Sequence, residues 1–154
     1  MHTEPLHGRE AIAALVPHQG LMCLWEEVVA WDAQRVVLRS VAHRSAAHPL
    51  RSGERLHALH LCEYGAQAMA VHGGLLGRAA GTPVRQGMLV ALRGVQLHVS
   101  ELQDLAGPID GEAEVLLQAE DSQQYAFRIT HAGQLLAEGR ATVMLGAASR
   151  PAPL

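Results

Sequence analysis

Aromatic residues make up only 3% of the 154-residue chain, and there is one phenylalanine. The core must therefore be filled largely by aliphatic side chains and alanine, and small residues let packed layers approach closely. Arginines are scattered rather than clustered, and the net charge is −3. That excludes the concentrated positive face of a nucleic-acid binder. No stretch reaches the roughly 18 uninterrupted apolar residues of a membrane span, so no membrane is expected as a partner. The opening residues, MHTEPLHGRE, lack a basic segment followed by an apolar one. A secretory signal is thus not expected, and the default is a soluble cytoplasmic protein. There are only two cysteines, Cys23 and Cys62. Both sit in apolar surroundings and are expected as reduced core thiols.

Against these shortages stand ten histidines, which bring pH-linked chemistry or metal binding into question. The length fits one domain. The stretch Leu56 to Gly77, LHALHLCEYGAQAMAVHGGLLG, is long enough for a helix of about five turns. Leu59, Cys62, Ala66, Met69 and Gly73 recur at helical spacing and predict its buried face. Between Arg55 and Arg78 the only formally charged residue is Glu63. A lone carboxylate there either points to solvent or belongs to a site that uses it. Gln67 lies four residues on, along the same side of the helix.

The rest of the chain reads as a sheet around this helix. Gly8 to Val16 predicts a short helix with Ile12, Leu15 and Val16 inward, stopped by Pro17. Met22 to Ala30 and Arg35 to Val41 predict a hairpin turning at Asp32-Ala33. Ala42 to Arg55 is a polar loop. Gly73, Gly74, Gly77 and Gly81 end a helix instead of opening one, and no lysine-serine pair follows. They read as a frayed helix end and linker, not a phosphate loop. Met88 to Val99 alternates with a phase change near Arg93-Gly94, the signature of a β-bulge. Leu102 to Gly111 reads as a loop. Strands follow on Ala113–Ala119, Tyr125–Ile129 and Ala137–Leu145, with turns at Asp121-Ser122 and Ala132-Gly133. The domain is expected to span residues 1–146, with a disordered tail over 147–154. The fold class is α+β: a curved antiparallel sheet wrapped around one long central helix.

Two segments resemble a known family. VPHQGLMCLWEEVVAWD is similar to the N-terminal motif of β-hydroxyacyl-ACP dehydratases of the FabA/FabZ type, a Pro-His followed by an apolar strand with an acidic residue near its end. CEYGAQAMAVHGGL resembles their central-helix motif, with Glu63 and Gln67 at the family's Glu and Gln. The EYxAQA helix is closest in character to the branch found in aryl-polyene pigment clusters. The resemblance covers roughly residues 10 to 145. It implies the hotdog fold, a dimer with active sites at its interface, no cofactor, and an acyl thioester on acyl carrier protein as partner and substrate. The activity implied is 3-hydroxyacyl dehydration in fatty-acid or polyene biosynthesis. Where the family carries Gly-His-Phe-Pro-Gly, whose His is its base, this chain reads HPLRSGERLHALHLCE.

The candidate site follows from these motifs. Glu63 is the general acid and Gln67 orients it. The base is His18, in the rigid Pro-His turn, or His48, in the loop before the helix. Backbone amides near Leu56, His57 and Ala58 would polarise the thioester carbonyl, and the acyl chain would lie in an apolar tunnel between helix and sheet. His57, His60 and Glu63 form HxxHxxE, but steps of three residues drift about 60° each way round a helix, so a shared metal is not expected. Cys62 points about 100° away from Glu63 and lacks a partner base, which argues against a nucleophile. Two rivals stand beside the dehydratase: a hotdog acyl thioesterase with Glu63 activating water, and a non-catalytic subunit of an active dehydratase. The dimer is expected to be a homodimer or a heterodimer with a related dehydratase.

Overall fold

The computed structural model describes residues 5–16, 22–82 and 85–148. In chain order the elements are β1 (Leu6–His7), α1 (Arg9–Ala13), β2 (Glu27–Trp31), β3 (Arg35–Ser40), α2 (Leu61–Ala80), β4 (Arg85–Leu97), β5 (Ile109–Gln118), β6 (Ser122–His131) and β7 (Gln134–Ala148). The strands form one sheet in the order β1-β2-β3-β5-β6-β7-β4, each neighbouring pair antiparallel. Helix α2 packs across β3, β5, β6 and β7. This is the expected α+β arrangement of a long helix held by an antiparallel sheet.

The turns form where the sequence supplies their chemistry. The Asp32 carboxylate accepts from the amides of Gln34 and Arg35, at 2.8 and 2.9 Å, and so closes the β2–β3 hairpin. Ala132 and Gly133 both take positive φ, 49° and 80°, as a tight two-residue hairpin between β6 and β7 requires. The register of β4 against β7 slips between Arg93 and Gln96, and Gly94 takes φ +59°, so the predicted bulge is present. Alternation puts Tyr125, Phe127 and Ile129 of β6, and Ala137 and Ala141 of β7, in the core.

Several boundaries differ from the sequence reading. The β2 ladder starts at Glu27, although Cys23, Leu24 and Trp25 before it are buried. Strand β5 begins at Ile109, inside the expected loop. Strand β7 continues to Ala148, so the expected tail starts within it; residues 149–154 lie outside the described residues. Leu56 and His57 are extended, and α2 is entered through a 3-10 turn, Ala58–His60. The helix then runs past the glycines to Ala80. Gly81 closes it in the left-handed conformation, with Thr82 N–H donating to Gly77 O at 3.0 Å.

The buried face of α2 is also corrected. Leu61, Tyr64, Ala68, Val71, His72 and Leu75 face the sheet. Of the expected face, Leu59 is 57% exposed, Cys62, Ala66 and Gly73 are half-buried, and Met69 alone is buried. A helix apolar nearly all round offers two stripes, and periodicity does not choose between them. The larger, hydrogen-bonding side chains decide. The Trp25 and Tyr64 rings meet edge to face at 5.2 Å, and Trp25 Nε1 donates to Tyr64 O at 2.8 Å. His72 lies between Tyr125 Oη and Asp32 O, both at 2.8 Å. Close approach is set by glycine: a Cβ on Gly65 would stand 2.7 Å from the Phe127 ring, and one on Gly111 would run into Trp25. Cys23 is buried, Cys62 is half-buried, and both are free thiols.

Candidate active site

Glu63 occupies the first turn of α2, where the helix dipole favours a negative charge. It is half-buried. Gln67, one turn on, is buried, and its amide is used in full. Its Oε1 accepts from Leu24 N–H at 2.9 Å, while Nε2 donates to Met22 O at 2.7 Å and to Glu63 Oε1 at 3.1 Å. The two backbone bonds fix which end of the amide is the donor. Gln67 thus does for residues 22–24 what a neighbouring strand would do, and it uses its remaining hydrogen to orient Glu63. The expected pairing of Glu63 with Gln67 is present. Met22 is four residues after His18. His18 itself lies outside the described residues.

His48 is brought to the start of α2, but its ring is occupied. Leu50 N–H donates to Nδ1 at 3.1 Å, so the ring proton sits on Nε2 and is donated to Tyr64 Oη at 2.9 Å. The two rings stack with centroids 6.0 Å apart. Burial, reinforced by the positive charge of Arg51, pulls the His48 pKa down to about 4. Its hydrogen bond is to the sheet-facing side of α2, about 100° round the helix from Glu63. Burial likewise pushes the Tyr64 hydroxyl well above its usual pKa, so it stays protonated.

Two of the three amides expected to face a thioester carbonyl, those of Leu56 and Ala58, are committed within the chain. Leu56 N–H donates to Gln103 Oε1 at 2.9 Å and Ala58 N–H to Ser100 O at 2.9 Å, and both residues are fully buried. The segment pairs with residues 100–102 in strand fashion, which accounts for the Ala58 bond. His57 is exposed, and its Nδ1 accepts from Leu59 N–H at 2.9 Å, capping the 3-10 turn. Trp25, Tyr64, Tyr125 and Phe127 are buried between helix and sheet. Among the described residues no group of three or more His, Cys, Asp or Glu is arranged to hold a metal. No described helix is long and apolar enough to cross a membrane. Sequence reasoning passed over Tyr64 and His72. The only signal for either was a polar ring at helical spacing among small residues.

A carboxyl group oriented by an amide at the half-open end of a helix can give and take a proton. The family model of the ApeP-like proteins, described as ApeP dehydratase, matches residues 10–150. No curated protein matches the sequence. Among solved structures, the dehydratase heterocomplex ApeI:P from Xenorhabdus doucetiae superposes with a TM-score of 0.80 at 23% identity, covering 88% of this chain and 91% of that one. Zebrafish thioesterase superfamily member 2 gives 0.62 at 19% identity, covering 90% and 95%. A hypothetical thioesterase from Streptococcus pneumoniae, solved with coenzyme A, gives 0.58 at 14%, covering 80% and 87%. These structural neighbours establish the hotdog fold, and the family match over nearly the whole chain says more: the protein belongs to the ApeP-like dehydratase family.

Proposed function

We propose that the chain removes water from a 3-hydroxyacyl thioester carried on acyl carrier protein, leaving the trans-2-enoyl thioester. The observation that carries this reading is the clamped Glu63 in the first turn of α2 of a dehydratase-family chain. Elimination breaks the C2–H bond and the C3–O bond, and the C2 electron pair becomes the new double bond. Glu63, protonated, donates to the departing hydroxyl, which leaves as water. An imidazole takes the C2 proton. His18 is that base in this reading, because Gln67, which holds Glu63, also binds the Met22 carbonyl four residues further along the chain. His48, locked on Tyr64, supports the helix start. No cofactor enters the chemistry. The acyl chain then runs over the outward side of α2, where Cys62, Ala66, Ala70 and Gly73 are half-buried, with a second subunit covering it.

The test is the purified protein with 3-hydroxyacyl thioester on acyl carrier protein, alone and mixed with a related dehydratase. Enoyl product is expected. Free acid instead would make the chain a thioesterase, and neither product would make it a non-catalytic subunit. Glu63→Gln keeps size and polarity but removes the acidic proton. It is expected to abolish turnover with an unchanged circular dichroism spectrum. Near-wild-type dehydration by this variant would sink the mechanism.

A further inference from the structure

One histidine near the site has no role in this scheme. His60 is the last residue of the 3-10 turn that leads into α2 and stands one turn before Glu63. At about 100° per residue, His60, Glu63 and Gln67 fall within about 60° of one another round the axis, and Gly74 falls on the same line. This line is closed along most of its length. Residues 22–24 cover it at Gln67, and Leu15 covers it at Gly74, where a Cβ would stand 2.6 Å from the Leu15 carbonyl oxygen. His60 and Glu63 form its half-buried N-terminal end.

The other histidines around the helix start are engaged. His48 uses both ring nitrogens, His57 accepts from Leu59 N–H, and His43 is bonded to Leu105 O at 2.9 Å. Among the described residues the His60 ring has no hydrogen-bond partner. Residues at this spacing on a helix are surface neighbours, with Cβ atoms about 5–6 Å apart. Among the described residues, an imidazole without a hydrogen-bond partner therefore borders the carboxyl group at the half-buried end of this line.

We propose that His60 returns the proton to Glu63 after each elimination. The inference rests on the dehydratase reading above. Elimination leaves Glu63 as a carboxylate and the base as an imidazolium. The base gives its proton to solvent water. His60 takes a proton from solvent water on one ring nitrogen and passes one to the Glu63 carboxylate, and the site is reset with no net gain or loss. His60 acts through Glu63, so it is a positioning residue for that proton.

The experiment compares wild type with His60→Gln and His60→Ala, at equal folded fraction by circular dichroism. For both variants kcat is expected to fall by about 100-fold, the lower end of what a placed proton-transfer group contributes, with KM little changed. Added imidazole should restore His60→Ala in proportion to its concentration, which a merely structural role would not allow. If wild type dehydrates and the variants match it, the His60 assignment is overturned while the dehydratase reading stands. A loss that no imidazole concentration repairs also overturns it. If wild type gives no enoyl product, alone or with a related dehydratase, both readings go together.

Discussion

At His48 the position of a single proton follows from two hydrogen bonds. Leu50 N–H occupies Nδ1, so Nε2 carries the hydrogen, and that hydrogen is spent on Tyr64. A general base needs a free lone pair within reach of its substrate. His48→Ala is therefore expected to reduce turnover by less than about 10-fold, through loosening of the helix start, and His18→Ala by at least ~100-fold. The two are to be compared by steady-state kinetics at equal folded fraction. The reverse ranking would move the base into the 42–55 loop. Equal, small losses would favour a subunit without its own chemistry.

Two neutral imidazoles help to dock α2: His48 through Tyr64, and His72 through Tyr125 and the Asp32 carbonyl. Burial lowers the pKa of both, and that of His48 falls to about 4. In the unfolded chain a histidine titrates near 6.5, as an order-of-magnitude reference. As the pH falls below that value the unfolded chain takes up protons that the folded chain refuses. For His48 stability is then complete above about pH 6.5 and drains away toward pH 4, by roughly 1 kcal/mol per pH unit, and the lowered pKa of His72 adds a loss of the same sign. Thermal melts between pH 7.5 and 5 should show a falling midpoint, and His48→Gln should flatten the slope. A midpoint independent of pH over that range would contradict the role given to these rings.

The same helix shows what the sequence made legible. Glu63 stood out as the single charge between Arg55 and Arg78, and the EYGAQ run tied it to Gln67, because both signals are local. The sheet was readable for the same reason: alternation along β6 and β7 needs no knowledge of what lies opposite. The buried face of α2 was not readable. Alanines and glycines fill both candidate stripes, and the choice rests on Trp25 and Tyr125, which reach Tyr64 and His72 from distant parts of the chain. The commitment of the Leu56 amide was hidden likewise, since its acceptor, Gln103, lies 47 residues away.

For the whole molecule, the two edges of the sheet are unlike. One is β1, two residues long and too short to offer much pairing. The other is β4, thirteen residues long. Along it Met88, Leu89, Val90 and Leu92 are 68, 41, 51 and 39% exposed, on both faces of the strand. A long apolar edge of this kind is a template for another strand and calls for cover. The chain is expected to be dimeric at micromolar concentration, either with itself or with a related dehydratase, and Val90→Arg should weaken the association. Sedimentation showing a stable monomer, alone and in the mixture, would rule this out.

The one phenylalanine leaves a mark on how the sequence can drift. Phe127 fills space that exists because neither Gly65 on α2 nor Gly139 on β7 has a Cβ; added there, these atoms would stand 2.7 and 2.9 Å from its ring. The three positions are thus a single unit of inheritance. Alanine can enter at 65 or 139 only after residue 127 has shrunk, and a shrunken 127 by itself opens a void beneath the first turns of the helix. Relatives should accordingly fall into two groups, one with glycines facing an aromatic ring and one with alanines facing a small aliphatic side chain, and mixed combinations should be rare.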